Sequence, residues 1–364
     1  MSNLSPLTPA KPTITAIIPT FRRPELLRRA VESVLSQTYL PLRVHILDNA
    51  SGDATGDIAR EFAARDPRVV YTCHSSNIGA QANFQAGYAA VETPYFSFLS
   101  DDDMLMPHFY ETAMRSLEAH PQARFFCGQI VKFNPTTLTH MLSPRRVWHD
   151  GYYEPGEGAV AMADAFFTWT SCLFATELRE ANGPINRSDV PDVAFLIKSA
   201  ASVPFVVRMT PCALFTSWDA GVTSALSIDS YIASYAEMER EIVAHGRLTP
   251  DQLATVKRLL AKNLTFVMGQ KLRTAFDARD WDSVLKAAAY LRSVKALGSG
   301  KWMRAVLSKP ALRGGVTDGF VRWCIKVHKS SREARQADRR GQSAEELVAR
   351  YAQVSAPTPV ADSK

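Results

Sequence analysis

The sequence predicts an α/β protein with a mostly parallel sheet flanked by helices, followed by a helical C-terminal region. Short β-branched runs alternate with helical patterns from residue 14 to residue 133, and strand patterns become sparse after residue 226. Alternation of this kind predicts βαβ crossovers, which make the strands parallel and place helices on both faces of the sheet. Polar clusters follow three of the strand patterns, at the edge where such sheets bind ligands.

The strand and helix patterns follow one another in strict order. The first strand pattern, ITAIIPT at 14–20, is apolar throughout, as expected for a fully buried parallel strand. The helix pattern after it carries Pro24 in its first turn, where proline is well tolerated, and places Leu27, Val31 and Val34 at helical spacing. The strand patterns are 14–20, 43–51, 68–74, 95–103 and 123–133, and the helix patterns between them are 24–37, 57–66, 79–92 and 107–120.

The chain of 364 residues has room for two domains of about 150 residues each. We predict a flexible tail at 1–12, an α/β domain at 13–225, a helical basic region at 226–345 and a disordered tail at 346–364. Helical patterns in the basic region span 231–245 and 250–276, and a third ends near residue 297. Thr249 is the expected cap of the second helix, and Asp280 or Asp282 of the third.

Composition excludes several classes of protein. With 46% hydrophobic and 10% aromatic residues, most of the chain is neither disordered nor fibrous. The five cysteines are odd in number and lack CxxC spacing, which argues against a disulfide framework or a zinc site. Neither a signal-peptide pattern nor an apolar run of about 18 residues occurs, so we expect a cytoplasmic protein.

The positive charge is concentrated near the C-terminus. The chain carries +6 in total, whereas residues 292–340 alone carry +10, with Trp302 and Trp323 interleaved among the cations. Such a segment favours an anionic membrane surface, here the inner face of the membrane. The alternative is a solvated basic face over a small helical core. Nucleic acid is not an expected partner because no recognised binding module accompanies the charge.

Three polar clusters are predicted to meet at one edge of the sheet. They are Pro19-Thr20 with Arg22, Asp48-Asn49-Ser51, and Asp101-Asp102-Asp103. Adjacent carboxylates repel one another at low dielectric, and a hard divalent cation such as Mg²⁺ or Mn²⁺ removes that cost. The alternative for the acidic triplet is a turn that caps the helix starting near Pro107.

Four segments in this order resemble glycosyltransferase family 2, whose fold is GT-A. They are IIPTFRRPELLRRAVESVLSQTY, HILDNASGDAT, SSNIGAQANFQAGYAAVE and TPYFSFLSDDDMLMP, and the resemblance extends over about residues 13–200. It implies a GT-A domain at 13–225 that binds a nucleotide sugar. It also implies that Asp102 is the principal ligand of Mn²⁺ or Mg²⁺, that Asp103 is a weaker ligand candidate, and that Asp101 contacts the ribose or assists the metal.

The resemblance also assigns the donor-binding residues. Pro19, Thr20 and Arg22 would line the nucleotide pocket, and Asp48 would accept a hydrogen bond from the imide N–H of uracil or thymine. The residues near the diphosphate and donor sugar would be Asn77, Gly79 and Asn83. Alternatives stay open for three residues: Asp48 as a turn former, Asn83 as a helix-surface residue, and Arg22 as a solvated charge.

A general base is expected in NGPINRSDVPDVAFLIKSAA. Alignment with the family pattern places Asp192 at the base position, although Pro191 replaces the usual Glu, and Asp189 is the competitor. The alternative for Asp192 is an ordinary acid in the first turn of a helix. Many relatives carry a metal-binding His further on, whereas TSWDAG has none, so Asp219 either replaces it or forms a turn.

The resemblance implies an inverting, metal-dependent transferase that moves a sugar from a UDP- or dTDP-sugar to a glycan or lipid-linked acceptor, in cell-surface polysaccharide synthesis. Trp148, His149, Tyr152 and Tyr153 either stack on the acceptor or pack their loop onto the body. One alternative is an inactive sugar-nucleotide-binding or scaffold protein of the same fold. A nucleotidyltransferase is disfavoured because IIPTFRRPELL lacks the glycines of a triphosphate loop.

Overall fold

A computed structural model describes residues 11–144, 147–185, 188–218, 226–294 and 341–355. The strands are β1 (Ile14–Thr20), β2 (Leu42–Asp48), β3 (Val69–Cys73), β4 (Tyr95–Phe98), β5 (Met104–Leu105), β6 (Phe125–Asn134), β7 (Thr139–Ser143), β8 (Gly151–Tyr153), β9 (Cys172–Ala175) and β10 (Phe205–Thr216). The first seven helices are α1 (Pro24–Leu35), α2 (Ala54–Arg65), α3 (Ala80–Ala89), α4 (Phe109–Ala119), α5 (Glu157–Asp164), α6 (Leu178–Asn182) and α7 (Pro191–Ser202). The later helices are α8 (Ile228–His245), α9 (Pro250–Asp277), α10 (Trp281–Ser293) and α11 (Ala344–Ser355).

The strands form one mixed sheet in the order β3-β2-β1-β4-β9-β6-β10-β5, with β7 beside β6 and β8 beside β10. Strands β1 to β4 run parallel, so their carboxyl ends meet at one edge. Strand β9 then runs antiparallel between β4 and β6. The predicted strands at β1, β2, β3, β4 and β6 and the helices between them are confirmed, whereas β5, β7, β8 and β9 were not predicted from the sequence.

Two hydrophobic layers cover the two faces of the sheet. Ile18 and Ile46 face the layer under α1, α2 and α4, whereas Ile17 and Leu47 face the layer under α3, α5 and α7. Helix α3 lies very close to the sheet at Gly87, where a β-carbon would come within 2.4 Å of Ile17 Cγ2 and 2.8 Å of Leu47 Cδ1. The absence of a side chain at Gly87 therefore sets the distance between α3 and the sheet.

Helices α8, α9 and α10 extend the layer under α7, and α9 and α10 also form a small cluster of their own around Phe276 and Val284. Met238, Val256 and Leu291 belong to the same buried cluster as Leu196 of α7. The predicted cap Thr249 is confirmed, since its hydroxyl accepts from Gln252 N while Gln252 Oε1 accepts from Thr249 N. Of the two candidates for the next cap, Asp280 caps α10 through Ser283 N.

The prediction of a disordered tail from residue 346 is wrong as far as Ser355. Ser343 and Glu346 form a capping box that opens α11. Leu347 and Tyr351, one turn apart, then pack against the outer strands near Phe133. The predicted N-terminal tail through residue 10 and residues 295–340, which hold most of the basic segment, lie outside the described residues. Among the helices described, none combines the length and apolar character that a bilayer crossing needs.

Candidate active site

Two carboxylates in the turn after β4 share one cation. Arg23 Nη1 lies 2.9 Å from Asp101 Oδ1 and 3.0 Å from Asp102 Oδ2. Thr20 Oγ1, at the end of β1, donates to the other oxygen of Asp101 at 2.8 Å. Trp218 Nε1 donates to Asp102 Oδ2 at 3.1 Å. The turn therefore gathers groups from β1, from the start of α1 and from the segment after β10.

Burial and charge act in opposite directions on this pair. Burial raises the pKa of Asp101 to about 6, and the nearby Arg23 charge opposes the rise. For Arg23 itself, burial alone would lower the pKa, but the charges of Asp101 and Asp102 outweigh burial and raise it. A positive charge between the two carboxylates thus offsets much of the cost of burying them together.

Asp103 points into the protein and bonds to the chain on both sides. Thr216 N donates to Asp103 Oδ1 at 2.8 Å and Thr170 Oγ1 donates to Oδ2 at 2.9 Å. Burial, followed by the charge of Asp102, raises the pKa of Asp103 well above its ordinary value. Asp103 therefore joins the acidic turn to β10 and to the 3-10 turn Trp169–Ser171.

The donor set fits a divalent cation held by two carboxylates and completed by a ligand from solution. Asp101 and Asp102 each direct one oxygen at Arg23 Nη1. The position of this nitrogen is therefore one at which the two carboxylates stabilise a cation. Within the described parts of the chain, no cluster of three His, Cys, Asp or Glu side chains could hold an ion. Hard oxygen ligands of this kind suit Mg²⁺ or Mn²⁺, which typically keep waters and bind substrate phosphates.

Asp48 lies at the end of β2 and is 2% exposed. Its Oδ1 accepts from Ser51 N at 2.9 Å, and its Oδ2 accepts from the Tyr71 hydroxyl at 2.9 Å. Asp48 therefore does form the turn that the alternative interpretation describes. Each carboxylate oxygen has two lone pairs, so capacity for a further donor remains. Arg22, which is exposed and in the left-handed region at φ 54°, donates from Nε to the Ser51 carbonyl at 3.0 Å.

The remaining predicted donor residues hold the loop between β3 and α3. Asn77 Oδ1 accepts from Gly79 N at 2.9 Å and from Asn49 Nδ2 at 3.0 Å. Gly79 has φ +88° and precedes α3, a conformation that favours glycine. Asn83 is 2% exposed, so its interpretation as a helix-surface residue is wrong. Its amide donates to the Leu47 carbonyl at 2.9 Å, and its oxygen lies 2.9 Å from His74 Nε2.

Asp192 is the second residue of α7 and is half-buried. Burial raises its pKa to about 6, opposed by backbone N–H groups of the first helical turn. Its charge also raises the pKa of the buried Cys172 thiol, after the effects of burial and Cys127. Because Cys172 begins β9, antiparallel to β4, it lies near the carboxyl end of β4. Asp192 therefore lies toward the edge of the sheet where β4 ends, which is the edge that carries the acidic turn.

The competitor Asp189 connects two helices. Its Oδ1 lies 3.5 Å from Gln81 Nε2 on α3, and its Oδ2 lies 3.4 Å from the Ser234 hydroxyl on α8. Asp189 N also donates to the Ser234 hydroxyl at 3.1 Å. These contacts favour a structural role for Asp189 at the junction of α3 and α8.

The aromatic segment around Trp148 packs against the body. Trp148 is 7% exposed, and its indole N–H donates to the Ala165 carbonyl at 2.7 Å. Its ring packs edge-on against Tyr153 at 4.9 Å between centroids. Tyr152 belongs to β8, paired with β10. The packing alternative is therefore the one observed for Trp148. Asp219 lies outside the described residues, whereas Trp218 beside it reaches Asp102.

Sequence reasoning missed Arg23, Thr216 and Thr170. Arg22 and Arg23 are adjacent and identical, and only the fold distinguishes them, because Arg23 reaches Asp101 and Asp102 whereas Arg22 reaches Ser51. Thr216 closes the acidic turn from β10, since its hydroxyl donates to the Asp102 carbonyl at 2.5 Å. No local pattern marks Thr170 or Thr216, because both reach the site only through the tertiary fold.

Residues 15–181 match the family model for glycosyl transferase family 2. This segment is just under half of the chain, and over it the chain is similar to glycosyl transferase family 2. The chain is 28% identical to glycosyltransferase GlyA of Streptococcus pneumoniae over 144 residues, which are 39% of this chain and 20% of that protein. A Campylobacter jejuni protein named GalNAc(5)-diNAcBac-PP-undecaprenol beta-1,3-glucosyltransferase is 29% identical over 105 residues, 29% of this chain and 34% of that protein. The chain thus spans a fifth to about a third of the length of these two relatives.

Two solved structures are similar in fold to this chain. S. aureus TarS 1–349 in complex with UDP-GlcNAc superposes with a TM-score of 0.58 at 15% identity, covering 78% of this chain and 81% of that one. Mannosyltransferase PcManGT from Pyrobaculum calidifontis, in complex with GDP-Man and Mn²⁺, gives a TM-score of 0.54 at 15% identity, covering 96% and 87%. The fold is therefore GT-A, as the resemblance implied.

Proposed function

We propose that the chain transfers a sugar from a nucleoside diphosphate sugar to a glycan or lipid-linked acceptor, with inversion and with the aid of a divalent cation. UDP- and dTDP-sugars are the favoured donors, and cell-surface polysaccharide synthesis is the favoured setting. The observation that carries the proposal is the pair Asp101 and Asp102, which share one cation at the sheet edge where Asp48 ends β2. The named substrates of the C. jejuni, TarS and PcManGT proteins support the same class of reaction.

The chain's own residues would bind the donor along the edge from β2 to β4. Asp48 would accept the imide N–H of the base, with its position fixed by Ser51 and Tyr71. Burial and hydrogen bonding raise the pKa of Tyr71, so its hydroxyl stays protonated and keeps donating to Asp48. The loop that Asn77 closes in front of α3 would lie beside the diphosphate and the donor sugar.

Asp102, with help from Asp101, would hold a Mn²⁺ or Mg²⁺ ion, whose positive charge would offset the charge on the departing diphosphate. Asp103 would hold the acidic turn in place through its hydrogen bonds with Thr170 and Thr216. Asp192 would take the proton of the attacking hydroxyl. Its raised pKa makes it a stronger base than an ordinary carboxylate, and it is still ionised at neutral pH.

A melting experiment tests the donor site. UDP or dTDP together with Mn²⁺ should raise Tm more than either alone, because a ligand that binds only the folded state stabilises it. The rise should vanish in Asp102→Ala. If UDP, dTDP and GDP all leave Tm unchanged with Mn²⁺ present, the donor site is wrongly assigned.

A hydrolysis assay separates an enzyme from a binding protein of the same fold. UDP- and dTDP-sugars are incubated with the chain and Mn²⁺, and released diphosphate is measured. Turnover that Asp102→Ala abolishes supports the transferase. Binding of the nucleotide without any turnover supports the scaffold alternative.

We propose in addition that residues 292–340 dock the protein on an anionic membrane surface, because they carry +10 with interleaved tryptophans. Co-sedimentation with phosphatidylglycerol vesicles and with phosphatidylcholine vesicles tests this. Binding only to the anionic vesicles, weakened by salt, is expected. Equal binding to both kinds of vesicle, or to neither, contradicts it.

A further inference from the structure

We infer that Arg23 is a resident countercation of the donor site, which a divalent ion must displace, so that metal and diphosphate bind cooperatively. The inference rests on the proposed function, because it assumes that Asp101 and Asp102 receive the metal. It concerns a residue that the acidic motif does not include. Its consequence is that the site should bind free Mn²⁺ poorly and Mn²⁺ with a nucleoside diphosphate well.

The backbone of Arg23 is held while its side chain lies across the site. Arg23 N donates to Thr55 Oγ1 at 3.1 Å, and the Arg23 carbonyl accepts from Leu27 N at 2.9 Å. The side chain is 32% exposed, compared with 7% for Asp101 and 15% for Asp102. The guanidinium can therefore leave by side-chain rotation toward solvent while the backbone at the start of α1 stays in place.

A metal and the guanidinium cannot share the position they both favour. Arg23 Nη1 alone bridges Asp101 Oδ1 and Asp102 Oδ2. A divalent ion bound to the same oxygens would lie within a few ångströms of the guanidinium charge and be repelled by it. Bare metal must therefore compete with a positive charge that is already in place.

A diphosphate changes this balance because it offers the displaced guanidinium a new anionic partner. Arginine binds phosphate oxygens well, frequently through two parallel hydrogen bonds. Binding of the metal together with the diphosphate would then replace the contact of Arg23 with the carboxylates by two attractions, one between metal and carboxylates and one between Arg23 and phosphate. Since linkage is reciprocal, each ligand strengthens the other by the same factor.

Neighbouring arginines supply the contrast. Arg22 directs its Nε to the Ser51 carbonyl and not to the acidic turn. Arg28 lies further along α1 and pairs with Glu61 of α2 on the surface, at 2.9 Å. Arg28→Met therefore removes the same charge from the same helix region without touching the carboxylates, and it is the matched control.

Isothermal titration calorimetry tests the inference. Mn²⁺ is titrated into the full chain with and without saturating UDP, or whichever of UDP, dTDP and GDP raises Tm most. We expect UDP to tighten Mn²⁺ binding at least about tenfold in the native chain. We expect Arg23→Met to bind Mn²⁺ alone about tenfold more tightly than the native chain, with a smaller effect of UDP. Arg28→Met should match the native chain.

Equal Mn²⁺ affinity in Arg23→Met and the native chain would overturn the inference, even if UDP and Mn²⁺ bind as proposed. Arg23→Gln, which keeps a polar group of similar length without charge, gives the same comparison if Arg23→Met does not fold. If the native chain binds none of the three diphosphates with Mn²⁺, the proposed function fails and the inference fails with it. The two failures are distinct, because the first appears only in the variants and the second in the native chain.

Discussion

The two halves of the sheet are built by different physical means. In the half proposed to bind the donor, here called the donor half (β1 to β4 with α1 to α3), Asp48 and Asn77 are held by turns close to them in the chain, whereas Asp101 bonds to Thr20 and Arg23. Asp48 bonds to Ser51 three residues on, and Asn77 bonds to Gly79 two residues on. In the half proposed to bind the acceptor, here called the acceptor half (β6, β9 and β10 with α5 and α7 to α10), the helix that carries Asp192 shares a hydrophobic core with Met238 of α8.

This contrast explains which half a sequence motif can identify. A site held by short turns depends on residues at fixed spacing, so its signature is compact. A site held by helix packing depends on apolar contacts between distant segments, so many sequences can position the same carboxylate. Asp103 connects the two halves, since it follows β4 and its partners Thr170 and Thr216 belong to the acceptor half.

The largest effect expected concerns Asp192. Asp192→Asn should lower kcat by about 10²- to 10⁴-fold, because the acceptor hydroxyl loses its proton acceptor. Binding of Mn²⁺ with the nucleotide should be unchanged, which separates the acceptor half from the donor half. Steady-state kinetics and calorimetry measure the two quantities. Asp189→Asn is the control, and a larger kcat loss in that variant would transfer the base role to Asp189.

Asp103→Ala tests the connection between the halves. It leaves the buried Thr216 N–H and the Thr170 hydroxyl without their acceptor, which should cost about 1–3 kcal/mol of unfolding free energy. Urea denaturation measures the change. Asp57→Ala, which removes an exposed acid paired with Arg60, should change the unfolding free energy by less than about 1 kcal/mol. Equal effects of the two substitutions would contradict the role of Asp103.

Gly87→Ala tests the close packing of α3 in the donor half. Its β-carbon would meet Ile17 Cγ2 at 2.4 Å, so we expect a loss of about 1–3 kcal/mol in unfolding free energy. Gly269→Ala in α9 is the matched control, since nothing lies within 4 Å of its β-carbon. That change should stabilise the helix by about 0.5–1 kcal/mol. Denaturation curves that show no difference between the variants would disprove the packing argument.

The pH profile of kcat gives the smallest expected effect. As the proposed base, Asp192 would act when ionised, and burial raises its pKa to about 6, so kcat should fall as pH drops below that value. The fall should approach about tenfold per pH unit. Cys172 and Tyr235 beside it stay neutral, because burial raises the pKa of each. Saturating Mn²⁺ and donor keep the titration of Asp101 from contributing. An unchanged profile in Asp192→Asn would show that another group titrates.

Much of the donor half was predictable because local patterns encode it. The alternation of strands and helices from β1 to β4 and the three polar clusters at the strand ends were predicted from the sequence alone. What failed depended on distant contacts. The helix-surface alternative for Asn83 was wrong, because Asn83 is buried and bonds to the Leu47 carbonyl and to His74. Strand β9 is only four residues long and antiparallel, so no alternating pattern marks it.

Some errors had signals that could have prevented them. Ser343 and Glu346 have the spacing of a capping box, and Leu347 and Tyr351 lie one turn apart, so α11 was readable within the predicted disordered tail. Arg23 was a different case. Its role depends on the turn after β4 folding back over the start of α1, which no spacing within IIPTFRRPELL reveals.

Anomalous scattering from a crystal soaked in Mn²⁺ and UDP is the most direct test of the donor site. We predict a manganese peak at ligand distance from the Asp102 carboxylate, bridged to the diphosphate, with the Arg23 guanidinium moved away from both carboxylates. A crystal in which Arg23 still joins Asp101 to Asp102, with no manganese peak and no nucleotide beside Asp48, would contradict the account.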